Sequence, residues 1–499
     1  MLRILSHPLG PLPSVARRTD GWSSTLDAAL VAAPGADELA ARLRQPGAMV
    51  VTTGQQPGLF TGPLYTVYKA LGAAAIAREL EARWQVPVLP LFWVAGDDHD
   101  FAEASVAHWP ATSGGTATWA LPPRDPAAPQ LPMTAELLPT SIREGIAELA
   151  ATLPAGESQA HTIAWLTRHY VPGATLHTAY AGAVAELLAP LGILTFDPTH
   201  AAVKRAQVPV LQQALDQAAS LDQMLAALPD PRTGIAAGEG ATLVFVETAA
   251  GRERLMIDGD GFRTRRSGDR FSRTDIAALL QGSPERFSAN VLLRPVVESR
   301  LLPTVAYVAG PGELKYLRRQ AFALYPAFDA TVQTPLPRWS GTVVSKTTER
   351  LLGRLHTTDE AVLLDDGRLG RAILERAFPG DARQAIDALR QQVKRSGSVL
   401  IAAGKRTDPV LDRAMKGRVQ RLEQLTTDVE QLLLRHLRKR DDTQYAQYQR
   451  VRDALLPTGK LQERVLVSPA YLGRFGSSWL DAVVQAMQPW AASLPTGSA

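Results

Sequence analysis

Four consecutive ionisable residues, Asp97-Asp98-His99-Asp100, follow an apolar run over 86–94. Such a group at the end of a buried strand can supply a general base, an anchor for an amine and ligands for Mg²⁺, and His99 titrates nearest neutrality. A capped, solvated strand end is the plainer reading of the same residues. Upstream, Thr53-Gly54-Gln55-Gln56-Pro57-Gly58-Leu59-Phe60-Thr61-Gly62-Pro63 carries three glycines and two prolines, so the backbone must turn tightly there. Backbone N–H groups at the start of the following helix favour a phosphate or carboxylate, with Gln55, Gln56 and Thr61 as side-chain donors between Gly54 and Gly62. Gly310-Pro311-Gly312-Glu313 offers a second backbone anion site, with Glu313 and Tyr316 as contacts for an amine or a ribose. Arg294 can pair a substrate carboxylate bidentately or serve equally well in a structural ion pair. No second histidine lies at ligand spacing from His99, so no metal centre is expected. His161, His169 and His177 read as packing or surface residues.

These groups need elements to hold them. Residues 48–52 are apolar and β-branched, which predicts a buried strand. Residues 64–84 carry apolar positions at helical spacing, and 86–94 reads as a second strand. Strand, turn, helix and strand make one βαβ unit, with polar residues gathered where both strands end. Ligands of open α/β sheets bind there, so the crevice between 53–63 and 97–100 is the expected active site. Further strands are predicted over 191–196 and 305–308, a long amphipathic helix over 202–228, and a β-rich stretch over 243–265. Between Leu411 and His436 a 4-3 spacing runs through Leu411, Met415, Arg418, Leu422, Leu425, Val429, Leu432 and His436, the pattern of a coiled-coil seam. Ile386, Leu389 and Val393 begin a similar stripe, and 397–409 holds breaker residues. An antiparallel helical hairpin follows, its seam either closing the hairpin or joining two copies. The expected division is 1–380 for an α/β core with inserts at about 111–180 and 235–285, 381–456 for the coiled coil, and 457–499 for a segment returning to the core.

Composition narrows the class. A chain of 499 residues exceeds one compact core. Its net charge of +4 is small and its arginines are spread along the sequence, so no nucleic-acid partner is expected. It has no cysteine, which excludes disulfides, a thiol nucleophile and thiolate zinc sites, and suits a reducing cytoplasm. No run approaches the roughly 18 apolar residues of a membrane span, and no leader is read at the start. A soluble cytoplasmic protein is expected.

The motif over 53–65, ending Pro63-Leu64-Tyr65, resembles the leading motif of the BshC family of bacillithiol biosynthesis. Phe92-Trp93-Val94-Ala95-Gly96-Asp97-Asp98-His99-Asp100-Phe101 resembles its second motif, 287–294 with 303–316 its third, and Leu461-Gln462-Glu463-Arg464 its fourth. The resemblance implies a Rossmann-like, class I synthetase- or nucleotidylyltransferase-like core with inserts, and a coiled-coil domain that often mediates dimers. It implies a carbon–nitrogen ligase that adds cysteine to the amine of glucosaminyl-malate, the last step of bacillithiol synthesis. ATP with Mg²⁺ is then a substrate that activates the carboxylate, no tightly bound cofactor is expected, and the chain forms a homodimer. On that reading His99 is the base for the incoming amine, while Asp97, Asp98 and Asp100 orient it or bind an amino group. Residues 58–63 stand where class I synthetases carry a GLHIGH-like turn, with Phe60 and Pro63 in place of the histidines. Val344-Ser345-Lys346-Thr347-Thr348 is loosely similar to their mobile KMSKS loop. Two other readings are kept: a nucleotide-sugar glycosyltransferase, and a non-catalytic coiled-coil scaffold.

Overall fold

The computed structural model describes residues 2–125, 128–228, 238–376, 379–438 and 444–496. It divides into two compact units: Met1–Thr112 with Thr116–Val343 and Gln462–Ala499, and Ser113–Gly115 with Val344–Leu461. No described helix is long and apolar enough to cross a membrane.

The first unit is built on the predicted βαβ motif. Met49–Gln55 forms strand β1, Tyr65–Trp84 helix α1 and Val88–Val94 strand β2. Every residue of β2 is buried, the continuous apolar pattern of a strand covered on both faces. The later strands of its two five-stranded sheets are β3 (Leu194–Phe196), β4 (Ala241–Thr248), β5 (Gly251–Asp258), β6 (Gly261–Thr264), β7 (Arg270–Phe271), β8 (Phe287–Ala289), β9 (Thr304–Ala309) and β10 (Thr334–Pro337). Five of them make an all-parallel sheet in the order β10-β9-β1-β2-β3. The chain builds outward from β1 through β2 to β3, then returns to the other side of β1 with β9 and β10. Between β1 and β9 the order reverses, which creates the topological switch point of a Rossmann-like sheet. One face of the sheet packs on α1 and on the C-terminal helix Ser478–Ala492, with Tyr68, Trp339, Trp479 and Trp490 in the core. The other face buries Leu26, Leu91, Trp93 and Phe196.

The β-rich stretch is a second, antiparallel sheet, ordered β7-β6-β5-β4-β8, inserted between β3 and β9. Val244, Val246, Leu255, Phe262 and Phe287 form its core face and pack on helices Val208–Asp216 and Arg273–Gly282. The long helix predicted over 202–228 is three: Ala201–Ala206, Val208–Asp216 and Ala218–Ala226. Pro209 lies in the first turn of the middle one, where its missing N–H is tolerated only at a helix start.

The second unit begins at Val344, so it takes in 344–380, which the periodicity assigns to the core. The helices Lys346–Arg354, Asp359–Leu363 and Arg368–Arg376 pack on Gln444–Leu455, where the Tyr448 hydroxyl donates to Asp365. Short segments such as these carry too few turns for their partner to be read from spacing. The hairpin itself pairs α2 (Gly380–Thr407) with α3 (Pro409–Arg438). Ile386, Val419, Thr426 and Leu434 are its buried positions, and Gly397 lets the helices approach, since a Cβ there would lie 2.5 Å from Val419 Cγ1. Leu422, Leu425, Val429 and Leu432, half of the predicted seam, remain 46–52% exposed. The hairpin therefore closes on the stripe only at its start, where Leu411 and Met415 meet Gly404, and leaves the stripe from Leu422 to Leu432 outside.

Candidate active site

A cleft of about 630 Å³ opens at the carboxyl ends of β1, β2 and β9, over the switch point. Gly54, Gln55, Gln56, Asp97, Asp98, Arg294, Gly310, Gly312, Glu313 and Tyr316 all line it; Thr61, Gly62, His99 and Asp100 do not.

The turn between β1 and α1 explains the first two absences. Phe60 is buried and its ring packs against Trp109, Trp119 and Tyr170. Thr61 is fully buried, its N–H donating to the Tyr170 hydroxyl at 2.8 Å and its hydroxyl bonded to Phe60 O and Ser468 Oγ. Phe60, Thr61 and Gly62 all have positive φ, at 49°, 68° and 69°. The turn thus folds inward onto aromatic core rather than outward as an anion cradle, and where the synthetase turn has a histidine this chain has a core residue. Only the segment before it, Gly54 to Gln56, faces the cleft. Gly54 is required there, because a Cβ would stand 2.8 Å from Trp93 O.

The acidic cluster separates into different tasks. Asp97 accepts from the buried Lys204 Nζ at 2.7 Å. Asp100 caps the short helix Phe101–Ala104 by accepting from Glu103 N. Asp98 Oδ1 accepts from the N–H groups of His99 and Asp100, at 2.7 and 3.3 Å, which leaves Oδ2 for the cleft. His99 Nδ1 lies 2.9 Å from Arg252 Nη1. Arginine only donates, so Nδ1 is the acceptor and the remaining ring proton sits on Nε2. Burial and the Arg252 charge, opposed by Asp98, hold the imidazole below its ordinary value. His99 therefore has its basic lone pair engaged by Arg252, while the adjacent Asp98 carboxylate keeps one oxygen without a hydrogen bond among the described residues. Among the described residues no group of three or more metal-ligating side chains is placed to hold an ion.

At the β9 end, Glu313 reaches back over the switch point. It accepts from Gly310 N, from the Tyr307 hydroxyl and from Lys69 Nζ, each at 2.7 Å. Lys69, on α1 and 1% exposed, also donates to Gly54 O at 2.6 Å, so one ammonium joins the ends of β1 and β9. Burial opposes the Glu313 charge, but Lys69 and these hydrogen bonds outweigh it and hold the carboxyl below its usual range. The Gly310 amide, expected to meet an anion, is spent on this carboxylate. Arg294 pairs with the buried Glu298 at 2.7 Å and lies over the Tyr307 ring while lining the cleft. Its structural and surface-lining roles coexist.

Several cleft residues escape the motif reading. Arg338, 3% exposed, pairs with Glu463 at 2.6 Å. Gln462 beside it brackets Val343 through both backbone groups, which is what the fourth motif does physically. Arg464 is exposed at the cleft and has no ion pair among the described residues. Tyr65 donates to Glu103 at 2.8 Å and accepts from Gln55 at 3.1 Å. Lys69 had one signal, a lone cation within an otherwise apolar helix face. Arg252 and Arg338 had none, because each acts across a sheet from a distant part of the chain. Lys346 opens a helix of the second unit capped by Ser345, which accepts from Thr348 N at 3.1 Å.

A Rossmann-like sheet with its cleft at the switch point, followed by a helical-hairpin unit, defines a Rossmann-like α/β protein with an appended coiled coil. The family model described as Bacillithiol biosynthesis BshC, N-terminal Rossmann-like domain, matches residues 29–338, and that of the BshC C-terminal coiled-coil domain matches 341–493. The chain belongs to the BshC family. A relative from Symbiobacterium thermophilum is 33% identical over 478 residues, covering 90% of this chain and 84% of the relative. One from Chlorobaculum tepidum is 30% identical over 473 residues, with 90% and 83% covered. One from Geobacillus kaustophilus is 28% identical over 471 residues, with 90% and 84% covered. Each carries the name "Putative cysteine ligase BshC".

Proposed function

We propose that this chain is a cysteine ligase of bacillithiol biosynthesis, joining the carboxyl of cysteine to the amine of glucosaminyl-malate at the expense of Mg·ATP. The observation that carries the reading is the mixed charge of the switch-point cleft, taken with the names of the relatives. Fixed cations (Lys69, Arg294, Arg338) and carboxylates (Asp98, Glu103, Glu313) line one cavity. Amide formation brings together an activated carboxylate and a neutral amine, and glucosaminyl-malate adds two carboxylates of its own. Arg294 and Arg464 offer those carboxylates bidentate partners. The cysteine carboxylate attacks ATP at the α-phosphorus and expels pyrophosphate to give an acyl-adenylate, or at the γ-phosphorus and expels ADP to give an acyl phosphate; the amine attacks the acyl carbon, AMP or phosphate leaves, and the nitrogen gives up one proton. Asp98 Oδ2 is the acceptor for that proton.

The test is direct. Purified protein with cysteine, glucosaminyl-malate and Mg·ATP is expected to yield bacillithiol by mass spectrometry, with AMP or ADP in equal amount. Absence of product beside an active relative would overturn the reading. We place the protein in the cytoplasm, where these substrates and a cysteine-free chain are at home.

A further inference from the structure

One wall of the cleft is made by the antiparallel sheet, and ligation as described above leaves it without a task. Met256 pairs with Arg263, and Arg263 with Arg270. Residues two apart on a strand share a face, so Arg252, Arg254, Arg263, Arg265 and Arg270 all belong to the face opposite the Leu255 and Phe262 core. Arg252 and Arg254 line the cleft, and the other three continue outward across β6 and β7. The sheet therefore gathers five arginines from 252–270 into one patch.

Neutralisation on this face is incomplete. Arg252 is committed to His99, Ser288 and Ala289 O, and stacks on Phe245. Arg270 meets Asp258 at 3.2 Å. Arg254 uses only Nε, on Thr242 O at 2.8 Å, which leaves both terminal nitrogens. Arg263 and Arg265 make no ion pair or side-chain hydrogen bond among the described residues. Asp222 and Glu239 are near enough to offset the Arg254 charge in part, though neither forms an ion pair with it among the described residues; Asp222 accepts from Gly238 N and Gly240 N, and Glu253 holds the Arg266–Ser267 backbone from the core face. Arg265 N donates to Arg254 O, so these two stand opposite each other, as do Arg263 and Arg270. Like charges directly opposite on neighbouring strands destabilise a sheet, and an anion carrying several charges removes that cost.

We propose that this arginine face binds an oligophosphate, with Arg254, Arg263 and Arg265 as its contacts, and that the triphosphate of a nucleotide occupies it from the cleft. The nucleotide assignment rests on the ligase reading; oligophosphate binding does not. Arg254 on β5 faces Arg263 on β6 and Arg265 just past it, across about 4.8 Å, and the latter two stand two residues, roughly 7 Å, apart along the chain, a cluster on the scale of a triphosphate rather than of a polymer backbone.

Titration calorimetry with sodium tripolyphosphate tests the site in the full-length protein. The wild type is expected to bind, more weakly as salt rises, and Arg263→Gln/Arg265→Gln to bind about tenfold or more weakly with a thermal melt no lower than that of the wild type, since opposed like charges have been removed. Arg263 is half-buried and Arg265 exposed, so the thermal melt separates lost binding from lost folding. No binding by the wild type, or equal binding by the double variant, overturns the proposal. Displacement of tripolyphosphate by ATP supports the nucleotide; ATP bound without displacement overturns that assignment. A ten-nucleotide single strand that binds more tightly than tripolyphosphate overturns it in favour of nucleic acid. Intact tripolyphosphate binding in protein that makes no bacillithiol supports the site and removes only the ligation.

Discussion

Asp98 and His99 are neighbours in sequence with opposite commitments. The aspartate keeps Oδ2 open to the cleft, and the histidine lends its lone pair to Arg252. Asp98→Asn preserves the Oδ1 acceptor that shapes the turn, so it should fold normally while kcat for bacillithiol formation falls about 10²- to 10³-fold. His99→Asn also offers Arg252 an acceptor and should keep kcat within several-fold. Parallel kinetics on the two variants checks this, and the reverse ranking would restore His99 as the base. The Arg338–Glu463 pair is buried on both sides. Removing one member strands the other charge, so Glu463→Gln is expected to cost about 3–5 kcal/mol in urea unfolding. Glu313 sets a pH dependence. Its carboxyl lies below the ordinary value of 4.5, so its contribution to stability is present above about pH 4.5 and is lost as pH falls through the lower folded value. Wild type should therefore lose stability more steeply than Glu313→Gln over that acid range, as measured by denaturation at a series of pH values.

Among the elements, the loop after β2 shows how a strand end is aimed. Gly96 sits over the buried His177, whose Nε2 lies 3.1 Å from Asp197 Oδ2. A Cβ on Gly96 would fall 2.3 Å from His177 Nδ1. Gly96→Ala is expected to destabilise the protein by about 1–3 kcal/mol through overpacking, and His177→Ala to cost less in its presence than alone. A double-mutant cycle on melting reads the coupling, and strict additivity would show that the contact does not matter. This loop also marks what sequence spacing can and cannot say. The apolar run of β2 and the acids behind it are local, so strand and cluster are legible. Which acid is paired depends on Lys204 and Arg252, which arrive from more than a hundred residues away. The turn over 58–63 fails for a related reason. Its glycines announce a sharp reversal, but only Trp109, Trp119 and Tyr170 decide that the reversal faces inward.

For the whole molecule, the stripe of Leu422, Leu425, Val429 and Leu432 matters most. Four half-exposed aliphatic side chains on one helix, left over after α2 and α3 have packed, form an apolar strip with no partner inside the hairpin. We propose that a second copy covers it. Leu422→Glu/Leu425→Lys should then shift the mass in light scattering from dimer to monomer without loss of helicity by circular dichroism. A wild type that is already monomeric at micromolar concentration would refute the dimer.

The sequence alone determined the β1–α1–β2 unit, the presence of polar strand ends, the helical hairpin and the family resemblance, because each rests on periodicity or on contiguous motifs that a few turns of chain express by themselves. Tertiary structure alone decided that the switch point lies between β1 and β9, that Lys69 and Glu313 join those strands, and that Glu463 steadies Arg338. It also decided that Thr61 and Gly62 turn into the core, and that arginines on three strands form one face. These are pairings between distant segments, and they depend on strand order and register. Neither is written in any local pattern, since a parallel sheet leaves the same apolar run on every strand it buries.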